Sequence, residues 1–148
     1  MNDLNKYSDE REQALNQALE AMYFGFKAMI AEPDKTLHTL GLSRVHHRIL
    51  FFIARSSHCS VGDLLKLLQA SKQYIHKPLR TLVDQGYVLT TPDKQDKRIK
   101  RLTLSVKGSE LEAKLSGGQR EHFQRVFNEV GAEAEMGWRK VMQALGKS

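Results

Sequence analysis

Residues 71–108 read SKQYIHKPLRTLVDQGYVLTTPDKQDKRIKRLTLSVKG, and the order of elements within this stretch decides the fold. Ser71 is placed to cap a helix, and Tyr74, Ile75, Leu79, Leu82 and Val83 recur at helical spacing as its apolar side. Gly86 sits where a left-handed residue ends such a helix. The opposite face is polar and basic. Lys72, Gln73, His76, Lys77 and Arg80 carry the forked donors, amide and ring nitrogens that suit base edges and phosphates. Pro78 falls inside the pattern, where it removes a backbone donor and crowds the carbonyl four residues back, so a kink or break is expected there. After Gly86 the period changes from helical to alternating. Residues 87–91 read as a strand, PDKQDKR at 92–98 as a turn, and residues 99–106, with Leu102, Leu104 and Val106 two apart, as the returning strand. The product is a β-hairpin with a basic tip: Lys94, Lys97 and Arg98 crowd the turn, and Lys100 and Arg101 carry the charge up the second strand.

Two shorter helices precede this unit. One starts at Ser43, carries Val45, Ile49, Leu50, Phe52 and Ile53 on a broad face, and ends near Ser56 or Ser57 before a loop around His58 and Cys59. The next opens with Ser60 and, three residues on, Asp63, which resembles a capping box, and then presents Val61, Leu64, Leu65 and Leu68. Longer amphipathic segments flank the centre. Residues 8–31 place Leu15, Ala18, Leu19, Met22, Phe26, Met29 and Ile30 at helical spacing behind a Ser8 cap, and Pro33 is expected to stop the helix. Ser105 caps a further helix over 106–127, interrupted at Gly117 and Gly118, which mark a weak point, a bend or a close crossing. A last helix over 132–145 sets Met136, Trp138, Val141, Met142 and Leu145 largely on one side.

Charge follows the same division. The chain carries a formal +6, but residues 44–108 hold thirteen Lys and Arg against four Asp, while the flanks are neutral or acidic. A cationic centre between such ends points to a polyanionic partner for the middle and a different task for the ends. At 148 residues the chain is long enough to bury a core without disulfides or a structural metal. One cysteine, no basic-then-apolar leader and no apolar run of membrane length lead to the expectation of a cytoplasmic protein with no membrane partner. The motifs of enzymes are missing: no phosphate-cradling loop, H-E-x-x-H, G-x-S-x-G or carboxylate pair in an apolar setting occurs, so neither an enzyme nor a cofactor is expected.

Three short helices, the third basic and followed at once by a basic hairpin, have the layout of a winged helix-turn-helix. The stretch from LSRVHHRILFFIARSS through LQASKQYIHKPLRTLVDQGYV to DKRIKRLTLSVKG resembles the MarR family of bacterial transcription regulators, in element order over the whole chain and most densely over 42–108. Its most specific part is the wing, where Asp96, Arg98, Leu102, Leu104 and Gly108 match an Asp-x-Arg pattern, alternating apolar residues and a glycine in the next helix. The resemblance implies a mainly α fold with a small β-hairpin wing (α+β), divided into an N-terminal dimerisation helix (1–42), a winged helix-turn-helix (43–106) and C-terminal dimerisation helices (107–148). It also implies a homodimer that binds a palindromic operator in double-stranded DNA, by family default as a repressor released by a small-molecule effector. On this reading Lys72, Gln73, Tyr74, His76, Lys77 and Arg80 face the major groove. Lys94, Lys97 and Lys100 join Arg98 in the wing, with Arg98 in the minor groove and Asp96 holding the wing. Two reading helices about a two-fold axis would meet half-sites roughly 34 Å apart. Two departures from the family pattern are Pro78 and the threonines Thr90 and Thr91, which stand where many members have an arginine.

For an effector the resemblance points to a pocket between the dimer helices and the DNA-binding lobe, with Tyr23, Phe26, His38, His46 and Arg48 as candidates for a small aromatic or phenolic acid; core packing also accounts for Tyr23 and Phe26. Some members sense oxidants through one cysteine, but Cys59 falls in an expected surface turn away from the first helix. His46, His47 and His58 have the chemistry of zinc ligands, but neighbours about 100° apart on a helix, such as His46 and His47, do not readily share one ion, so no metal is expected. The rival reading is a winged helix used for non-specific DNA binding or protein contact, which would keep the fold and charge without a preferred sequence.

Overall fold

The computed structural model describes residues 8–147; residues 1–7, the start of the expected amino-terminal segment, and Ser148 lie outside it. In chain order the elements are α1 (Asp9–Thr39), α2 (Arg44–Arg55), β1 (Cys59–Ser60), α3 (Val61–Leu68), α4 (Lys72–Asp84), β2 (Val88–Pro92), β3 (Lys100–Leu104), α5 (Val106–Val130) and α6 (Ala132–Lys147). This is the mainly helical winged architecture expected from the sequence, with a small antiparallel sheet.

The first correction concerns Pro33, which does not stop α1. The helix continues to Thr39 with Pro33 and Leu37 buried. Proline deprives the Met29 carbonyl of its helical donor, and the side-chain amide of Gln119, reaching across from α5, donates to that oxygen at 3.2 Å. The helix stops instead at Gly41, whose φ of +69° admits the left-handed turn in which the Leu42 N–H donates to the Leu37 carbonyl at 2.9 Å.

The second correction is the sheet. It has three strands, in the order β1-β3-β2, rather than the two of an isolated hairpin. β3 lies in the middle, pairing Leu102 with Cys59 on one side and with Thr90 on the other. Cys59 is therefore a buried strand residue, not part of a surface turn. A strand of two residues leaves no periodicity in sequence; its existence follows from a partner more than forty residues away.

Helix α4 runs unbroken through Pro78. Ser71 accepts from the Tyr74 N–H at its start, the Tyr87 N–H donates to the Leu82 carbonyl at its end, and Ile75, Leu79 and Leu82 are buried along one stripe, so packing on both sides of the proline holds the two halves in line. Tyr74, expected on the apolar side, is 51% exposed. Nor do Gly117 and Gly118 interrupt α5 or mark a close crossing: a methyl group on Gly118 would meet nothing within 4 Å, and on Gly117 only the Arg120 side chain. The close approach lies at Gly108, where any side chain would run into the Tyr87 carbonyl.

Among the described residues every buried apolar side chain lies between Pro33 and Leu115. Ile49, Leu50 and Ile53 of α2, Leu64 of α3, Leu82 of α4, Val88 and Leu102 of the sheet and Leu115 of α5 meet in one core. Each contributes about 1.5–3 kcal/mol by leaving water. The long flanking helices differ. Leu19, Met22, Tyr23 and Phe24 on α1, and Met136, Val141 and Leu145 on α6, remain exposed. Where α5 and α6 fold back on each other, Trp138 packs against Phe123 and Phe127 at 5.2 and 5.6 Å between ring centres.

Candidate nucleic-acid interface

Two capped helices, α3 and α4, present the candidate surface. Ser60 and Asp63 form the capping box at the start of α3, the Ser60 N–H donating to the carboxylate at 3.1 Å and the Asp63 N–H to the hydroxyl at 3.0 Å. A left-handed Gln69, with φ +51°, ends α3 and turns the chain into α4. With the stripe Ile75, Leu79 and Leu82 turned inward, Lys72, Gln73, Tyr74, His76, Lys77 and Arg80 are all left exposed. Arg80 lies 3.8 Å from Asp84, a loose and solvated pairing that leaves its donors available.

The wing is a hydrogen-bonded loop on the β2–β3 hairpin. One oxygen of Asp93 accepts from the backbone N–H groups of Gln95 and Asp96, at 3.1 and 3.0 Å, and the Asp93 N–H donates to the Ile99 carbonyl. Asp96 in turn accepts from Arg98 through the backbone N–H, Nε and Nη2, at 3.1, 3.0 and 3.2 Å. The Arg98 side chain is nevertheless 91% exposed, so its guanidinium is oriented but fully open to solvent. Lys94, Lys97 and Lys100 are exposed around it. Donors hold the carboxyls of this region below the usual carboxylate range: Ser60 acts on Asp63, the Asp96 N–H and Arg101 on Asp93, and Arg98 on Asp96.

Arg101 and Asp93 are also structural members of the wing, which their places in the sequence pattern do not reveal. Arg101 Nε donates to the second Asp93 oxygen at 3.0 Å, and its Nη1 lies 3.7 Å from Asp63. The available signal was register: an aspartate just past the end of one strand, facing an arginine on the returning strand opposite Thr91.

The five effector candidates do not share one site. His38 and Arg48 line an open cleft of about 810 Å³ between the end of α1, the start of α2 and Tyr74 of α4. Phe26 joins Arg48 on a second cleft, of about 200 Å³, with Pro33, His47, Phe51 and Gln119. Tyr23 lines neither, packing edge-on against Phe24 with Lys27 over its ring. His46 also lines neither: its Nδ1 accepts from the Ser43 N–H at 2.9 Å and so caps α2. His47 reaches across to α5, its Nε2 lying 3.0 Å from Ser116 Oγ. Burial lowers the pKa of both histidines, and for His47 the neighbouring Arg48 adds to the effect. Burial raises the pKa of the Cys59 thiol, which disfavours the reactive thiolate. Among the described residues no three His, Cys, Asp or Glu side chains converge on a metal-sized site, and no helix is long and apolar enough to cross a membrane.

Comparison with known proteins agrees with this geometry. A model of the MarR family matches residues 40–99, the segment from the end of α1 to the wing. The HTH-type transcriptional regulator PetP of Rhodobacter capsulatus is 35% identical over 134 residues, covering 90% of this chain and 81% of PetP. Among solved structures, Streptococcus pneumoniae FabT in complex with DNA superposes with a TM-score of 0.77 at 16% identity, covering 92% of this chain and 95% of FabT. An S. aureus MepR–DNA complex gives 0.68 at 17% identity, covering 86% of this chain and 96% of MepR. These two show that the fold is shared. With a relative of this identity along nine-tenths of its length, the chain belongs to the MarR family and is a helix-turn-helix transcriptional regulator, not an enzyme.

Proposed function

We propose that the protein is a cytoplasmic homodimer that reads a palindromic operator in double-stranded DNA, represses from it, and is released by a small aromatic or phenolic acid. The observation that carries this reading is the two-sided character of α4, whose exposed face holds Lys72, Gln73, Tyr74, His76, Lys77 and Arg80 while its opposite stripe anchors the core. Gln73 and His76 offer hydrogen bonds to base edges, Lys72, Lys77 and Arg80 serve phosphates or guanine, and Arg98 at the wing tip enters the minor groove beside Lys94, Lys97 and Lys100. Asp96 orients Arg98. Residues 43–106 form the reading head, and residues 1–42 and 107–148 pair the subunits. The exposed apolar rows of α1 and α6 support the pairing, since long helices with uncovered Leu, Met, Phe and Val side chains gain from a second copy about a two-fold axis. For the effector, His38 and Arg48 on the open cleft, with Tyr74 of the reading helix on its wall, offer cationic and aromatic partners to a carboxylate or phenolate.

Selection of bound duplexes from a random pool at about physiological salt, with light scattering on the same sample, tests the reading. A palindromic consensus bound by a dimer is the expected result. Binding without a consensus would transfer the protein to non-specific DNA coating, and a monomer would remove the role given to both ends.

A further inference from the structure

Arg101 is one-third exposed, lies on the middle strand of the sheet, and touches three separate pieces of the chain. Its Nε donates to Asp93 in the wing loop at 3.0 Å; its Nη1 lies 3.7 Å from Asp63 at the capped start of α3 and 3.5 Å from the His58 carbonyl in the turn before β1. That turn is itself fixed, with His58 in the left-handed region at φ +69° and its N–H donating to the Leu102 carbonyl at 2.8 Å. Asp93 passes the restraint on, because its other oxygen holds the N–H of Asp96, and Asp96 holds the guanidinium of Arg98.

We propose that Arg101 is the positioning residue of the wing: through Asp93 and Asp63 it clamps the loop bearing Arg98 to the helix-turn-helix, so that the wing tip and the reading helix meet DNA as one preorganised unit. This rests on the DNA-reading function proposed above. The side chain is recessed and already committed to carboxylates, so its contribution is made through Arg98 rather than by contact with DNA. A ribbon tip fixed in advance loses less freedom when it binds, and a single forked guanidinium reaching two carboxylates and a carbonyl is well suited to fix it.

Charge gives the test its sign. Asp93→Asn removes a negative charge from a DNA-facing loop, so Coulombic attraction alone would tighten binding, whereas loss of the clamp weakens it. Asparagine can still accept from the Gln95 and Asp96 N–H groups, so the substitution isolates the link to Arg101. Binding of a palindromic duplex recovered by selection, and of a scrambled duplex of equal length, would be measured for the full-length protein, Arg98→Ala, Asp93→Asn, Arg101→Met and the two doubles with Arg98→Ala. The clamp requires that Asp93→Asn and Arg101→Met each weaken binding about tenfold, and that Arg98→Ala in either background then costs less than about threefold although it costs tenfold or more alone. Thermal unfolding confirms that each variant is folded; should Arg101→Met fail to fold, Asp93→Asn carries the cycle alone. Additive losses, or tighter binding by Asp93→Asn, would overturn the proposal while leaving the DNA-reading function intact. Failure of the wild-type protein to bind either duplex would overturn both.

Discussion

The side-chain amide of Gln119 on α5 donates to the backbone carbonyl of Met29 on α1, the oxygen that Pro33 leaves without its helical partner. A residue that interrupts one helix's ladder thereby creates an acceptor for another helix. Gln119→Leu leaves that partly buried acceptor unmet and is expected to cost about 1–2 kcal/mol in chemical denaturation. In a Pro33→Ala background, where the helix supplies its own donor, the same substitution should cost markedly less; equal costs in both backgrounds would refute the coupling.

Two glycines of α5 have opposite expectations. Gly108→Ala drives a methyl group into the Tyr87 carbonyl at the joint between the sheet and α5, beside the Ser105 cap, and should destabilise by about 1–3 kcal/mol. Gly118→Ala meets nothing and lies within a continuous helix, so it should stabilise by up to about 1 kcal/mol. Thermal melts of the pair read both signs.

Stability should fall as pH drops below about 6.5. Burial lowers the pKa of His46 and His47 in the folded chain, so over the interval beneath the ordinary histidine value the unfolded chain binds protons that the folded one refuses. Asp63, Asp93 and Asp96 are depressed instead, and their contribution is lost only as pH falls through the carboxylate range and below. A decline between about pH 7 and 5.5 therefore belongs to the histidines. His47→Gln, which keeps a hydrogen-bonding group near Ser116, should flatten that slope; an unchanged slope would exclude His47 as its source.

On DNA, Gln73→Ala should cost about 1–3 kcal/mol and relax preference at particular base pairs, because an amide reads base edges. Arg98→Ala should weaken binding to all sequences more evenly. Comparing binding to the selected site with binding to single-substituted sites distinguishes the two outcomes.

What was legible in the sequence was local. The box formed by Ser60 and Asp63, the cap at Ser71 and the end of α4 at Gly86 involve residues within a few positions of one another, and composition signals them directly. What was not legible depends on distant partners. Pro33 reads as terminal because Gln119 is ninety positions from the Met29 carbonyl it satisfies, β1 exists only by pairing with β3, and Arg101 reads as surface charge without the fold that brings Asp63 and Asp93 beside it. The exposure of Tyr74 is a matter of phase: it lies one position before Ile75, which begins the buried stripe, and periodicity alone could not separate the two.

The central place of β3 in the sheet bears on timescale. Its backbone is bonded toward β1 on one flank and β2 on the other, whereas β2 is an edge. In amide exchange the inner strand should behave with the slow core, whereas β2 should exchange on its outward-facing amides. On the DNA-reading function proposed above, the wing is less a free arm than a short fingertip on a stiff base, and little conformational entropy is left for it to lose on binding.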